Sequence, residues 1–227
     1  KIIVTTPKDR EQMLFWLAPG SVFDSFPASH ATARDRREAQ RRVTAVPEAR
    51  RSAEDWLSLA EADLDIAGPA AAAADLAKAR AAGVLTPEQS VRADLLDGIL
   101  AGRAGRSEDA ARAFAAAEAG STGRLRLRAR LGRFFAGTAS GQPGDAAVME
   151  RELAASDDPL AVDGLAWLQA IRGDLPAAYA TLQAGARRFP GDLDIAVSEA
   201  TAAQVLGDRD GMRQAVHRAL AIDPDDP

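Results

Sequence analysis

An all-α fold built from stacked helical hairpins is what this sequence predicts, and three observations predict it. Alanine supplies 52 of the 227 residues, and alanine is the best helix former and a poor strand former. Gly173-Asp174 recurs as Gly207-Asp208, and Pro190 recurs as Pro224, each 34 residues later. Small residues also stand at fixed offsets within the helix-like segments flanking these turns, which lets neighbouring helices approach closely.

Residues 1–52 do not share the period. The stretch 1–6 is short and β-rich, and 9–17 reads as a helix carrying Met13, Leu14, Phe15, Trp16 and Leu17, stopped by Pro19-Gly20. Val22, Phe23 and Phe26 follow in a loop that ends at Pro27. This aromatic density predicts a cap in which Phe15, Trp16, Phe23 and Phe26 pack on the first hairpin; the alternative is a segment that docks another chain or an upstream domain. A second helix is expected over 31–43, its Arg34, Arg36, Arg37, Arg41 and Arg42 solvated and locally balanced by Asp35 and Glu38.

The repeating region, 53–227, divides into five hairpins at about 53–83, 91–120, 125–158, 159–190 and 193–224. The first reads Trp56-x2-Leu59-Ala60, a turn at Gly68-Pro69, then Ala72-x3-Leu76-x2-Ala79; proline suits the first position of a helix. The second has Gly98 at the close-contact site, Gly105 at the turn and Ala110-x3-Phe114-x2-Ala117. The third keeps Ala147 and Ala154, closes on Pro159 and carries a longer connection over 138–143. The fourth has Leu165-Ala166, Gly173-Asp174, Ala178, Leu182, Gly185 and Pro190; the fifth has Ala200, Gly207-Asp208, an irregular Met212, Ala219 and Pro224. The period, the Trp-x2-Leu-small opening and the closing proline resemble the tetratricopeptide repeat. That resemblance implies a right-handed superhelical solenoid in which no hairpin buries its apolar face alone.

Several chemistries are excluded or left without support. With no cysteine, disulfides, thiolate metal sites and cysteine nucleophiles are impossible, and the two histidines, His30 and His217, read as surface or capping residues. No Gly-x-Ser-x-Gly elbow, phosphate-binding loop or dinucleotide fingerprint appears, so no catalytic residue, metal ligand or cofactor is assigned. The charge is uneven: residues 1–52 carry 10 Lys/Arg and 6 Asp/Glu, and the remainder carries 18 and 27. A pI near 5.2 argues against nucleic-acid binding. No apolar run reaches the roughly 20 residues of a membrane span. The start at Lys1 leaves room for a trimmed signal or membrane tether upstream. The Ala/Arg bias suggests a bacterial source, cytoplasmic or, with such an anchor, periplasmic.

The resemblance further implies a concave groove lined by the first helices of successive hairpins, which receives a protein or peptide partner. Glu61, Arg92, Leu95, Ile99, Arg103, Asp163, Trp167, Ile171, Asp194, Val197, Thr201 and Gln204 are placed there. Arg126, Arg130 and Arg133 follow i, i+4, i+7 spacing, a stripe suited to carboxylates on a ligand or else neutralised by acids of the adjacent hairpin. The family's chaperone-binding subset uses lysine and asparagine in this groove; the absence of asparagine, and of lysine beyond Lys78, speaks against that subset. The function expected is a non-catalytic scaffold or adaptor. The alternatives are a regulatory or assembly domain cut from a larger enzyme and a membrane-tethered periplasmic assembly factor.

Overall fold

The computed structural model describes residues 23, 26, 32–142 and 144–224. The expected elements over 1–6 and 9–17, with Phe15 and Trp16, lie outside these residues, as do His30 and Asp225-Asp226. Among the described residues the chain is all-helical, with eleven α-helices and no strand. It divides into two compact units, Phe23–Pro143 and Gly144–Pro224. The division falls at the end of the connection expected to be long.

The first unit contains α1 (Ala33–Thr44), a short 3-10 turn (Glu48–Arg50), α2 (Ala53–Ile66), α3 (Pro69–Ala81), α4 (Pro87–Arg103), α5 (Ser107–Gly120) and α6 (Gly123–Ala139). Local chemistry sets the starts. Thr32 with Asp35, Ser52 with Asp55, and Thr86 with Gln89 form capping boxes that satisfy backbone N–H groups at both ends of the pair. The Thr86 box, followed by Pro87, explains why α4 begins before the expected residue 91. The principal packing partners run in chain order: α1 on α2, α2 on α3 and α4, α3 on α4, α4 on α5 and α6, α5 on α6.

At the centre of this unit sits a phenylalanine cluster. Phe23, Phe26 and Phe114 are all fully buried. Phe23 stacks on Phe114 with ring centroids 5.7 Å apart and planes 18° apart, and Phe26 tilts against both at 5.9 and 5.8 Å. The Phe114 ring occupies a notch between two bare backbones: a Cβ on Gly98 of α4 or Gly132 of α6 would lie within 2.8 or 2.6 Å of it. Gly102 provides the same clearance for Phe23. Phe23 and Phe26 rest on Phe114 of the second hairpin, whose Gly102 makes room for the Phe23 ring. Arg103 fastens this arrangement: its Nε donates to the Phe23 carbonyl at 2.8 Å, Nη1 to the Leu64 carbonyl at 3.0 Å and Nη2 to Asp65 at 3.0 Å.

A buried acid pair lies between α2 and α3. Asp63 and Asp75 are both buried, and Gln40 of α1 donates to Asp63 at 2.7 Å. Burial, then the hydrogen bond and charge of Asp63, push the Asp75 carboxyl above its ordinary range; Lys78 at 3.8 Å pulls the other way.

The second unit contains α7 (Ala146–Ala154), α8 (Pro159–Ile171), α9 (Leu175–Arg188), α10 (Leu193–Leu206) and α11 (Arg209–Ile222). The repeated Gly-Asp has a defined mechanical role. Gly173 and Gly207 take left-handed φ values of 85° and 78°, which cost glycine no Cβ clash. The next aspartate then caps the following helix: Asp174 accepts from the Ala177 N–H at 3.1 Å and Asp208 from the Gly211 N–H at 2.9 Å. The repeated prolines, Pro190 and Pro224, each stand two residues beyond the last residue of α9 and α11. The core gathers Ala166 and Ala170 of α8, Ala178, Leu182 and Ala186 of α9, and Ile195 of α10. Tyr179 of α9 donates to Asp208 at 2.9 Å, joining α9 to the cap of α11.

The expected close-contact sites Ala60, Gly98 and Ala166 are buried, whereas Ala200 is half-buried. On α11 the fully buried alanine is Ala215, not Ala219. The reason is that α11 packs principally on α10 alone, so only one of its faces is covered.

Two outcomes follow for stability. Gly98→Leu should cost about 1–3 kcal/mol or more by overpacking against Phe114, while Ala221→Leu at an exposed site should stay within about 0.5 kcal/mol; urea denaturation of both variants measures the difference. The raised Asp75 carboxyl contributes stability that is fully present below the ordinary aspartate pKa and is lost as pH rises through the raised one. Asp75→Asn should therefore raise the Tm at pH 7, with the gain over wild type shrinking as pH falls towards 4. A gain that grows on acidification would contradict the assignment.

Candidate functional site

Residues expected on the groove face separate by environment. In the first unit, Leu95 and Ile99 are interior side chains, 2% and 0% exposed, and so offer nothing to a ligand. They face the helices that α4 packs against, and the 3.6-residue spacing alone does not distinguish that direction from an open one. Arg92 is tied within the fold. Its Nε and Nη2 donate to the two carboxylate oxygens of Glu61 at 2.8 and 2.9 Å, and Nη1 donates to Glu54 at 2.6 Å. This fork-on-fork contact, with Glu61 the larger influence, pushes the guanidinium pKa further above its already high value. Arg92 thus fastens α4 to α2, as Arg103 does from the other end of α4.

The arginine stripe of α6 is partly engaged by α5. Arg133 Nε lies 3.1 Å from one oxygen of Glu118 and Arg130 Nε lies 3.9 Å from the other. The Glu118 side chain is 13% exposed, against 34% for Arg130 and 48% for Arg133, so the carboxylate lies beneath two guanidinium groups. Arg126 is exposed. Glu118 is the residue that sequence reasoning omits: it closes the preceding helix, eight positions before the stripe begins, and only the turn at 121–122 brings it under α6.

In the second unit the corresponding residues range from half-buried to exposed. Val197 in α10 is 43% exposed, Thr201 one turn later is exposed, and Trp167 and Ile171 of α8 and Gln204 of α10 are half-buried. The Thr201 hydroxyl donates back to the Val197 carbonyl at 3.0 Å, so this donor is used within the helix. α8 and α10 pack on one another as well as on α9 between them. Where they meet, Asp163 of α8 is only 3% exposed and its Oδ1 has no hydrogen-bond partner. Burial pushes this carboxyl well above the ordinary range; the Asp194 carboxylate adds to the rise, the Ser198 hydroxyl opposes it by bonding the carboxyl, and Asp192 at the cap of α10 raises it further. No group of three side chains among the described residues is arranged to hold a metal ion.

No family model, curated protein or solved structure is similar enough to this chain to match it.

The stripe residues should respond differently to charge reversal. Arg126→Glu should change stability by less than about 0.5 kcal/mol. Arg133→Glu sets two carboxylates together at a partly desolvated position and should cost about 1–3 kcal/mol. Equal urea midpoints for the two variants would mean that the Glu118 contact is not maintained in solution.

Proposed function

We propose that this protein is a non-catalytic scaffold of the tetratricopeptide type, whose hairpins stack in right-handed superhelical order and hold a segment of a partner protein on the face of α8 and α10. Support for the stacking comes from the packing order within each unit. First helices pack on first helices, α2 on α4, α4 on α6 and α8 on α10, as a nearest-neighbour array requires. The observation that carries the binding face is Val197. Of the exposed large apolar side chains among the described residues, Val84 lies in a loop, Ile66 ends α2 and Leu220 belongs to the last turn of α11. Val197 lies within the body of a helix, beside exposed Thr201 and on the helix that packs against the one carrying half-buried Trp167. An apolar centre with polar neighbours is the composition of a protein-recognition patch.

Site-specific photo-crosslinking tests this reading. Benzoylphenylalanine replacing Val197 or Thr201 should capture one partner protein in cells of the source organism, and the same group replacing Val84, itself 99% exposed, should not. Val197→Asp should lower binding of the captured partner about tenfold, a loss of ~1.4 kcal/mol, without lowering the Tm. Capture from Val84 as efficient as from Val197 would exclude this face.

A further inference from the structure

The fifth hairpin leaves open a face that its counterpart in the fourth has covered. Residues 34 apart occupy equivalent places in the two hairpins, as their Gly-Asp turns and prolines do. On α8 and α9, Ala166, Ala178, Leu182 and Ala186 are buried in one core with Ile195 of α10. Their counterparts on α10 and α11 are Ala200, Met212, Val216 and Leu220. The first three are half-buried, and Leu220 is 46% exposed against 9% for Ala186. α11 packs principally on α10, and among the described residues no helix follows it. A repeat array that ends against water ends in a polar face, whereas α11 carries an apolar one. Met212 and Leu220 are also larger than the alanines at the equivalent places, so this face presents a raised ridge rather than the seat that receives Ile195.

We propose that this ridge is the contact for a second copy of the chain, the two copies meeting α11 to α11 about a two-fold axis near Val216. Met212, Val216 and Leu220 follow i, i+4, i+8 spacing and so form one row along the helix. Rows of that spacing interdigitate when two helices cross at about −50°. With the helices running in opposite senses, two-fold symmetry sets Met212 of each copy beside Leu220 of the other, a flexible thioether against a branched aliphatic side chain. Charges near the row are balanced within each copy: Arg213 donates to Asp210 at 3.0 Å, and Arg218 pairs with Glu199 of α10. Arg209 is exposed beyond Met212, at the outer end of the row. The contact is made by α11, not by the side chains of Val197 and Thr201, and it goes beyond the scaffold reading.

The test uses the full chain in sedimentation equilibrium. The mass should pass from 23.8 kDa towards twice that value, and no further, as the concentration rises from about 1 μM to about 1 mM, the range that suits a small interface. Leu220→Glu, at an exposed position, should weaken the dimer about tenfold or more, because the change counts twice about a two-fold axis. Gln214→Glu, on the solvent side of the same helix, should leave it unchanged. The chain has no cysteine, so a single introduced thiol reports the register. Under oxidation, Val216→Cys should give a disulfide-linked dimer about tenfold faster than Gln214→Cys, since only the former lies near the axis. A mass of 23.8 kDa at every concentration, growth beyond the dimer, Leu220→Glu associating like the wild type, or equal cross-linking of the two thiols would each overturn the contact. Should Leu220→Glu not fold, the two thiol variants decide by the same criterion. Photo-capture of a partner at Val197 by a chain that stays monomeric removes the dimer and leaves the scaffold reading standing.

Discussion

The first unit depends on a ring held between backbones. Phe114 contributes a large apolar surface, but only because Gly98 and Gly132 withhold theirs; side chains at either position would occupy the ring's own volume. Close packing of helix on helix on helix then follows from three residues on α4, α5 and α6. The same ring stacks on Phe23, so the chain before α1 is joined to the interior by aromatic contact and by Arg103. Interiors are packed like organic crystals, with few voids. A glycine in mid-helix, which costs about 1 kcal/mol in propensity relative to alanine, is here offset by the ring it admits.

Arginine replaces lysine almost throughout this protein, and the structure shows what the replacement achieves. Arg92 forks onto Glu61 while reaching Glu54, and Arg103 satisfies two backbone carbonyls and a carboxylate at once. A lysine ammonium at either position has no planar fork with which to make those contacts together. Where lysine does occur, as Lys78, it sits over the Trp56 ring at 4.3 Å with Arg51 at 4.7 Å on the same indole, a cation-π arrangement that also brings Glu48 within 2.9 Å. Much of the positive charge thus fastens one helix to the next rather than forming an open electrostatic surface.

The acids behave differently in the two units. The Asp63–Asp75 pair is closed off by Gln40 and by Lys78, so the fold itself supplies a donor and a nearby cation. Asp163 meets two like charges and one hydroxyl. Both carboxyls are shifted upward chiefly by burial, yet only one of them is left with an oxygen that no protein group serves. That asymmetry separates a carboxyl pair served within the fold from a carboxyl with an unserved oxygen.

The helical class, the positions of the Gly-Asp turns and the residues that end the helices were legible in the sequence, because they rest on local physics. Alanine propensity, a left-handed glycine followed by a capping aspartate, and proline at a helix start all act within a few residues of chain. The capping boxes at Thr86 and Ser52 belong to the same local grammar, and noticing the first of them places the start of α4 correctly. Which face of each helix is covered was decided by the tertiary structure alone. Leu95, Ile99 and Val197 occupy similar places in a helical pattern, but the first two meet neighbouring helices and the third meets solvent. Likewise Glu118 comes beneath Arg130 and Arg133 because a tight turn folds α6 back along α5, and Asp163 loses its water because α10 closes over α8. Burial and counter-charge are sums over neighbours distant in the chain, and no window of sequence contains them.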